Sequence, residues 1–197
     1  REHCSRQVQS RWAYAKRLNM ELSRKIAVEI TKYARENQAN VIVFEYLEMQ
    51  GKISGKKKQK LHLWRKRDIQ KLCEHQAHRN RIRVSRVSAR NTSRLACDGS
   101  GAVVRNPENH SLCIFQTGKQ YNCDLNASYN IGARYFIREY LKPIPETEWS
   151  LIVAKVPELE RRTNCTLSTL FSLYAVLKCQ SVSVSESWPH GGNESGA

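Results

Sequence analysis

The spacing of apolar residues divides the chain into helical and extended stretches. Residues 10–37 carry an apolar residue at every fourth position over much of their length. These residues are Leu18, Leu22, Ile26 and Ile30, with Val28 near the same side. The period predicts an amphipathic helix. Residues 41–44, VIVF, form a continuous apolar run between polar residues. Such a run is typical of a strand buried on both faces of a parallel sheet.

The pattern changes several times further along the chain. Residues 61–79 are again helical in character, and the alternation of residues 81–87 predicts a strand that is half-buried or near a sheet edge. Residues 91–122 are rich in Gly, Ser, Asn and Cys and lack a period, which indicates an insertion or small knuckle. Asp124 begins another helix that ends before Pro143. Its apolar residues on one face are Leu125, Tyr129, Ala133 and Phe136.

The order helix, strand, helix, strand, insertion, helix is an α/β pattern. A sheet usually has about four to six strands, and the sequence shows only two. We therefore expect the missing strands before Arg1. The pattern predicts an α/β domain over residues 1–142, with the insertion at about 91–122. Residues 143–180 form a C-terminal extension, which includes a short helix within 166–177. Residues 181–197 are rich in Ser and Gly, and we expect a disordered tail there.

The charge of the chain narrows the choice of partner. Its 197 residues include 33 Lys plus Arg and 18 Asp plus Glu, for a formal net charge of +15. Nucleic acid and an anionic membrane surface both suit such a charge. No apolar run approaches the about 20 residues that span a bilayer, and no secretory signal begins the chain. We therefore expect a cytoplasmic protein that binds nucleic acid and not a membrane. The seven cysteines are irregularly spaced, which favours reduced thiols.

Two groups of basic residues are candidates for contact with phosphates. The first group is Lys52, Lys56, Lys57, Lys58, Lys60, Arg65, Lys66, Arg67 and Lys71, and the second is Arg79, Arg81, Arg83 and Arg86. Each phosphate that these cations neutralise releases counterions, so binding should weaken as salt rises. The alternative is a solvated loop followed by a charged helix face. Trp64 lies within the first group, and either core packing or stacking on a base fits it.

Two carboxylates lie where catalytic acids are often found. Glu45 follows the apolar strand directly, and ligands gather at the carboxyl ends of strands in α/β sheets. Asp124 lies at the start of a helix. The simpler interpretations remain open: Glu45 as a strand-end residue paired with an arginine, and Asp124 as an N-cap or first-turn acid.

The segments around these acids resemble a known family. Residues 41–47, VIVFEYL, resemble the strand that carries the second acidic residue of RuvC-like nucleases in the transposon-encoded TnpB family. Residues 124–131, DLNASYNI, resemble that family's closing D-x-N-A-A-x-N-I helix, and residues 83–93 resemble the strand leading into its zinc ribbon. Three further segments are similar to the subtype V-K CRISPR effectors of cyanobacterial transposons, namely 52–60, 91–101 and 162–177.

The resemblance implies an incomplete RNase H-like (RuvC-like) domain with a degenerate zinc ribbon. It implies an RNA-guided DNA-targeting protein whose partners are a guide RNA, target DNA and transposition proteins. Two Mg²⁺ ions would need three carboxylates, of which Glu45 and Asp124 are the second and third. The first Asp would lie on an earlier strand. We therefore expect no DNA cleavage by this chain alone and no firmly bound cofactor, with Mg²⁺ reserved for a complete nuclease.

The predicted zinc ribbon lacks ligands. Four thiolates from two Cys-x-x-Cys pairs would complete a tetrahedral zinc site. Here Cys97 is followed three residues later by Ser100, and Thr117 stands where another cysteine is expected. Cys113 and Cys123 are out of register with that pattern. We expect no zinc, because Cys97, Cys113 and Cys123 would need an unusual geometry to bind it, with His110 as a possible fourth ligand.

Two other interpretations remain open from the sequence. One is a Mg²⁺-dependent TnpB-type DNA endonuclease, whose first Asp would be encoded upstream of Arg1. The other is a non-functional gene remnant, because a sheet without its first strands has an exposed edge that favours aggregation.

Overall fold

The computed structural model describes residues 2–46 and 66–185. Side chains are described for residues 8–46 and 67–179. The chain forms two compact units, Arg1–Val87 and Ser88–Ala197. Both contain helix and strand, so the mixed helix-and-strand class expected from the sequence is confirmed. No helix in the described ranges is long and apolar enough to span a bilayer.

The first unit alternates helices and strands in the predicted order. Its elements are α1 (Glu2–Glu36), β1 (Val41–Tyr46), α2 (Lys66–Arg79) and β2 (Arg83–Ser88), the last of which ends at the boundary with the second unit. The two strands are neighbours in one sheet. The backbone N–H of Arg83 donates to the oxygen of Asn40 at 2.9 Å. This bond joins the starts of the two strands, so they run in the same direction, as predicted.

Both helices of the first unit end in the same backbone turn. Gln38 and Arg81 adopt left-handed φ angles of 54° and 57°. The N–H of the next residue then bonds to a carbonyl in the last turn of the helix, Ala39 to Ala34 at 2.8 Å and Ile82 to Ala77 at 2.9 Å. This geometry satisfies carbonyls that a helix end leaves open, and it is usually formed by glycine.

The buried face of α1 differs from the one that the apolar period indicates. Leu18 and Leu22 are 58% and 54% exposed, whereas a row of small residues is buried against α2. The row contains Ser23, Ala27, Thr31 and Ala34. The helices approach closely, since the thiol of Cys73 on α2 lies 3.8 Å from the backbone oxygen of Ala27. Leucine side chains do not fit into such a narrow gap.

Two hydroxyl groups are buried in this row without a loss of hydrogen bonding. Ser23 and Thr31 each donate to the carbonyl four residues earlier, at 2.8 Å. Such bonds let serine and threonine lie against a neighbouring helix.

The strand β1 is only partly buried along Val41–Tyr46, not fully buried on both faces as expected. Val87 in β2 is buried while Arg83 is exposed, so the half-buried second strand is confirmed.

The second unit places a small sheet before three α-helices and two 3₁₀ turns. The predicted insertion contains an antiparallel sheet in the order β3 (Val104–Arg105), β4 (Leu112–Ile114) and β5 (Gln120–Asn122). The helices are α3 (Cys123–Leu141), α4 (Glu146–Lys155) and α5 (Leu167–Ser185), with 3₁₀ turns at Pro157–Glu160 and Arg162–Asn164. Helix α5 includes residues 181–185, for which the sequence predicts a disordered tail; residues 186–197 lie outside the described ranges.

Apolar packing in the second unit comes mainly from the helices. One cluster joins α3, α4 and α5 with the first 3₁₀ turn. Its buried members are Ile137, Leu141, Ile152, Val156, Leu159, Cys165 and Leu173. A smaller cluster lies in the insertion and contains Ala96, Cys113, Phe115 and Cys123.

Helix α3 also buries a face that its apolar pattern does not indicate. Of the residues predicted to share its apolar face, only Ala133 is buried. Leu125, Tyr129 and Phe136 are 45%, 41% and 47% exposed. The buried residues combine three polar side chains, Asn126, Asn130 and Arg134, with apolar ones that include Ile137 and Leu141.

Candidate functional site

Glu45 lies near the carboxyl end of β1, where the sequence places it, and its side chain is partly buried. Its backbone oxygen accepts a hydrogen bond from Nε2 of Gln70 at 3.1 Å. Gln70 is buried on α2, so this bond fixes the helix against the end of the strand. The arrangement holds Glu45 at the strand end.

Asp124 occupies the first turn of α3 and is exposed. The N-cap is Asn122, whose Oδ1 accepts the backbone N–H groups of Asp124 at 2.9 Å and Leu125 at 3.0 Å. Asp124 therefore has the role of a first-turn acid, which the helix dipole favours. Glu45 belongs to the first unit and Asp124 to the second. Their meeting at one Mg²⁺ site stays a prediction.

Three polar residues on the buried side of α3 form the most extensively hydrogen-bonded feature of the second unit within the described ranges. Asn126, Asn130 and Arg134 lie four residues apart, so they stack on one face of the helix. Both asparagines are 0% exposed and Arg134 is 6% exposed. We call these three residues the polar ladder.

The two asparagines bind the backbone of the segment that precedes the sheet. Asn126 donates to the oxygen of Leu95 at 2.9 Å and accepts the N–H of Cys97 at 2.8 Å. Asn130 donates to the oxygens of Thr92 at 3.0 Å and Leu95 at 2.9 Å. It also accepts the N–H of Leu167, the first residue of α5, at 3.2 Å.

Arg134 completes the ladder by binding four backbone oxygens. Its guanidinium donates to Ser88 at 2.9 Å, Arg90 at 2.6 Å, Thr163 at 2.6 Å and Cys165 at 3.1 Å. Burial of a cation is costly unless hydrogen bonds replace its water, and these carbonyls do so. The polar ladder thus joins residues 88–97 and 163–167 to one helix. The repeated spacing of Asn126, Asn130 and Arg134 was a visible signal of a shared face.

The insertion brings Cys97 together with Cys113 and Cys123, the two thiols that are out of register in the sequence. Cys97 packs against the cluster that contains Cys113 and Cys123. Burial raises the pKa of Cys113 to about 11, and a hydrogen bond with Cys123 adds to this shift. Its Sγ lies 3.4 Å from the backbone oxygen of Tyr121. Within the described ranges, no group of three or more His, Cys, Asp or Glu side chains could hold a metal ion.

The positions expected to hold the missing zinc ligands have other surroundings. The hydroxyl oxygen of Ser100 is buried without a hydrogen-bond partner among the described residues. Thr117 is exposed, in the turn between β4 and β5. His110 is also exposed. The described cysteines Cys73, Cys97, Cys113, Cys123, Cys165 and Cys179 are free thiols.

The basic candidates fall partly outside the described ranges. Those outside are Lys52, Lys56, Lys57, Lys58, Lys60 and Arg65, with Trp64. Lys66 begins α2, and its side chain is not described. Arg67, Arg79 and Arg81 are exposed, as a nucleic-acid interface requires. The left-handed backbone of Arg81 also ends α2.

On α2, the sequence candidates Arg67 and Lys71 share an exposed face with two histidines that the sequence had not singled out. Arg67, Lys71, His75 and His78 are all exposed and recur with the spacing of one helix face. We call them the basic strip. Glu74 lies beside the strip, and its carboxylate binds Nη2 of Arg86 at 2.9 Å. The hydrogen bond with Arg86 lowers the pKa of Glu74.

Comparisons with known proteins do not assign the chain to a family, since no protein-family model and no curated protein matches it.

Proposed function

We propose that this chain binds nucleic acid and forms the C-terminal part of an RNA-guided DNA-targeting protein. The observation that carries the proposal is the basic strip of α2 in a chain with a net charge of +15. Arg67 and Lys71 are the cations of the strip, and cations on one exposed helix face suit a phosphate backbone, whose charges repeat along a line. Of the two acids on α2, Asp68 and Glu74, Glu74 is bound to Arg86 and therefore offsets the charge of the strip less.

The role in RNA-guided targeting rests on the resemblance to the TnpB family and to the subtype V-K effectors. Contacts from lysine and arginine to phosphates position a backbone and carry no sequence information. In a guided system the sequence is read by base pairing with the RNA, so a protein surface of this kind is sufficient. The proposal assigns no DNA cleavage to the chain, because Glu45 and Asp124 supply two of the three carboxylates that the resemblance requires.

The proposal is tested with the full chain and labelled oligonucleotides. Fluorescence anisotropy gives the Kd for single-stranded RNA, single-stranded DNA and duplex DNA of one length between 50 and 300 mM salt, a range of roughly sixfold. We expect binding that weakens steeply with salt. The variant Arg67→Ala/Lys71→Ala should lower affinity and reduce the salt slope by about 0.7 to 0.9 for each phosphate that the protein no longer neutralises.

The matched control is Lys25→Ala/Lys155→Ala, which removes the same charge from exposed positions on α1 and α4. This control should change the slope less than the α2 variant does. Failure of the unchanged chain to bind any of the three nucleic acids at low salt would overturn the proposal. If both variants lost the same affinity, the basic strip would not be part of the interface.

A further inference from the structure

The first unit carries almost all of the excess positive charge of the chain, because that excess lies in residues 1–87. The net charge counts each histidine as neutral. The basic strip of α2 contains two permanent cations, Arg67 and Lys71, and two histidines, His75 and His78, and all four are exposed. The charge of the strip therefore depends on whether its two histidines are protonated.

The four members of the basic strip form one line along α2. Successive members are three or four residues apart, and four residues advance about 6 Å along a helix axis. The line is therefore about 16 Å long. The buried residues Gln70, Cys73 and Ala77 occupy a different side of α2. Packing among the described residues thus leaves the whole strip accessible to a ligand.

An acid and its partner from β2 lie beside the histidines. The carboxylate of Glu74 binds Nη2 of Arg86 at 2.9 Å. This hydrogen bond is the main cause of the lowered pKa of Glu74, and the charge of His75 adds to it. The carboxylate of Glu74 is therefore close enough to attract a charge on His75. Asp68, the other acid of α2, lies about two helical turns before His75.

The elements packed against α2 contribute few other charges to its contacts. The α1 residues that are buried against it are uncharged, namely Ser23, Ala27, Thr31 and Ala34. On β1 the acid is Glu45, which binds Gln70 of α2 through its backbone oxygen.

Cations of α2 itself lie on both sides of His75. Lys71 and Arg79 are four residues before and after it, the spacing at which side chains of a helix are neighbours and like charges repel. A phosphate that binds along the strip offsets this repulsion. Phosphate binding and proton uptake by the histidines therefore favour each other, since such coupling is reciprocal.

We propose that His75 and His78 bind phosphates of the nucleic acid in their protonated form. The proposal rests on the function proposed above and adds two binding residues and a dependence on pH to the same surface. Histidine is the side chain whose charge ordinarily changes between about pH 5 and 8, and both ring nitrogens of its protonated form donate hydrogen bonds. The strip presents four cations to the phosphates in mild acid and two in mild alkali. The chain therefore holds nucleic acid more tightly as pH falls.

The test measures binding of the full chain to an oligo-dT at about pH 5.5 and about pH 8, which are near the two ends of the range in which histidine titrates. Thymine keeps one charge state over this range, so a change in Kd reports on the protein. The variant His75→Gln/His78→Gln removes the titrating rings, and His75→Lys/His78→Lys makes both charges permanent. The matched control is His110→Gln, because His110 is an exposed histidine of the insertion. Anisotropy gives Kd at several salt concentrations, and circular dichroism compares the folding of all variants at both pH values.

We expect the unchanged chain and the His110→Gln control to bind at least about fivefold more tightly at the lower pH, because two further cations neutralise phosphates. The salt slope should steepen by about 0.7 for each phosphate that a protonated histidine neutralises on a single strand. The glutamine variant should lose most of this pH dependence. The lysine variant should bind at the higher pH about as tightly as the unchanged chain does at the lower pH.

Two results would overturn the role of the histidines while nucleic-acid binding stands. One is the same pH dependence in the glutamine variant and in the unchanged chain. The other is a lysine variant that binds no more tightly than the unchanged chain at the higher pH. An equal loss of pH dependence in the His110→Gln control also rules out a specific role of the strip. The absence of nucleic-acid binding at either pH overturns both proposals.

Discussion

The guanidinium of Arg134 donates to the backbone oxygen of Thr163 at 2.6 Å, which joins the middle of α3 to a segment 29 residues away. The same side chain binds the backbone oxygens of residues 88 and 90. Arg134 therefore holds two distant loops against one helix through their carbonyl groups. A substitution that keeps the volume of the side chain but removes its donors should separate these loops.

Arg134→Met should lower the free energy of unfolding by at least about 3 kcal/mol, because several buried carbonyls lose their donors. Urea denaturation followed by circular dichroism measures this change. Arg138→Met is the control, since Arg138 is partly exposed and binds Glu139 on the helix surface. A loss of about 1 kcal/mol or less is expected for a surface ion pair. Similar losses for the two variants would contradict the role of Arg134.

Asn130→Asp should also destabilise the chain, by about 2–3 kcal/mol. The new carboxylate oxygen would face the oxygens of Thr92 and Leu95, which now accept from the amide of Asn130. Asn122→Asp is a control with the same chemical change. Because aspartate also caps a helix, Asn122→Asp should change stability by only about 0.5 kcal/mol. Thermal melts of both variants test this difference, and a tolerated Asn130→Asp would contradict it.

Arg81→Gly should raise the free energy of unfolding by about 1 kcal/mol, because glycine adopts a left-handed φ without strain. Arg81 now has a φ of 57°. Arg81→Ala removes the same charge but keeps a β-carbon, so it should not stabilise the chain. Comparing the two variants by urea denaturation separates the backbone role of Arg81 from its charge. If the two variants were equally stable, the backbone role of Arg81 would be contradicted. If both lost the same affinity for nucleic acid, the charge of Arg81 would contribute to binding.

The buried thiols should make the chain less stable in alkaline solution. Burial raises the pKa of Cys73 and of Cys165 from 9.0 to about 11. Above pH 9 the unfolded chain loses thiol protons that the folded chain retains, so stability falls as pH rises from about 9 to about 11. Each thiol should lower the free energy of unfolding by about 1.4 kcal/mol per pH unit within this window.

Denaturation at several pH values between 8 and 11, roughly the range in which thiols ionise, measures this slope. Cys73→Ala should flatten it, since one buried thiol is removed. Cys179→Ala is the control, because Cys179 is exposed. The same slope in Cys73→Ala and in the unchanged chain would contradict the effect of burial.

Apolar periodicity predicted which elements form but not which faces they bury. The helix at residues 10–37, the strand at 41–44 and the helix that begins near Asp124 all form. The predicted buried face of α1 was wrong, because close packing against α2 buries Ser23 and Ala27 in place of Leu18 and Leu22. Helix α4 was missed, although Glu146 and Glu148 lie in its first turn and Lys155 in its last, as the helix dipole favours.

The sequence by itself determined the order of helices and strands, the excess of positive charge and the exposed arginines of α2. The order of elements depends on residues that are close in the sequence, and the charge depends on composition alone. Neither requires contacts between distant parts of the chain. Only the tertiary structure decided that Asn126, Asn130 and Arg134 are buried while Tyr129 and Phe136 remain exposed. These polar side chains are buried because distant backbone groups provide their hydrogen bonds, and the partners of the ladder lie 29 to 46 residues away along the chain.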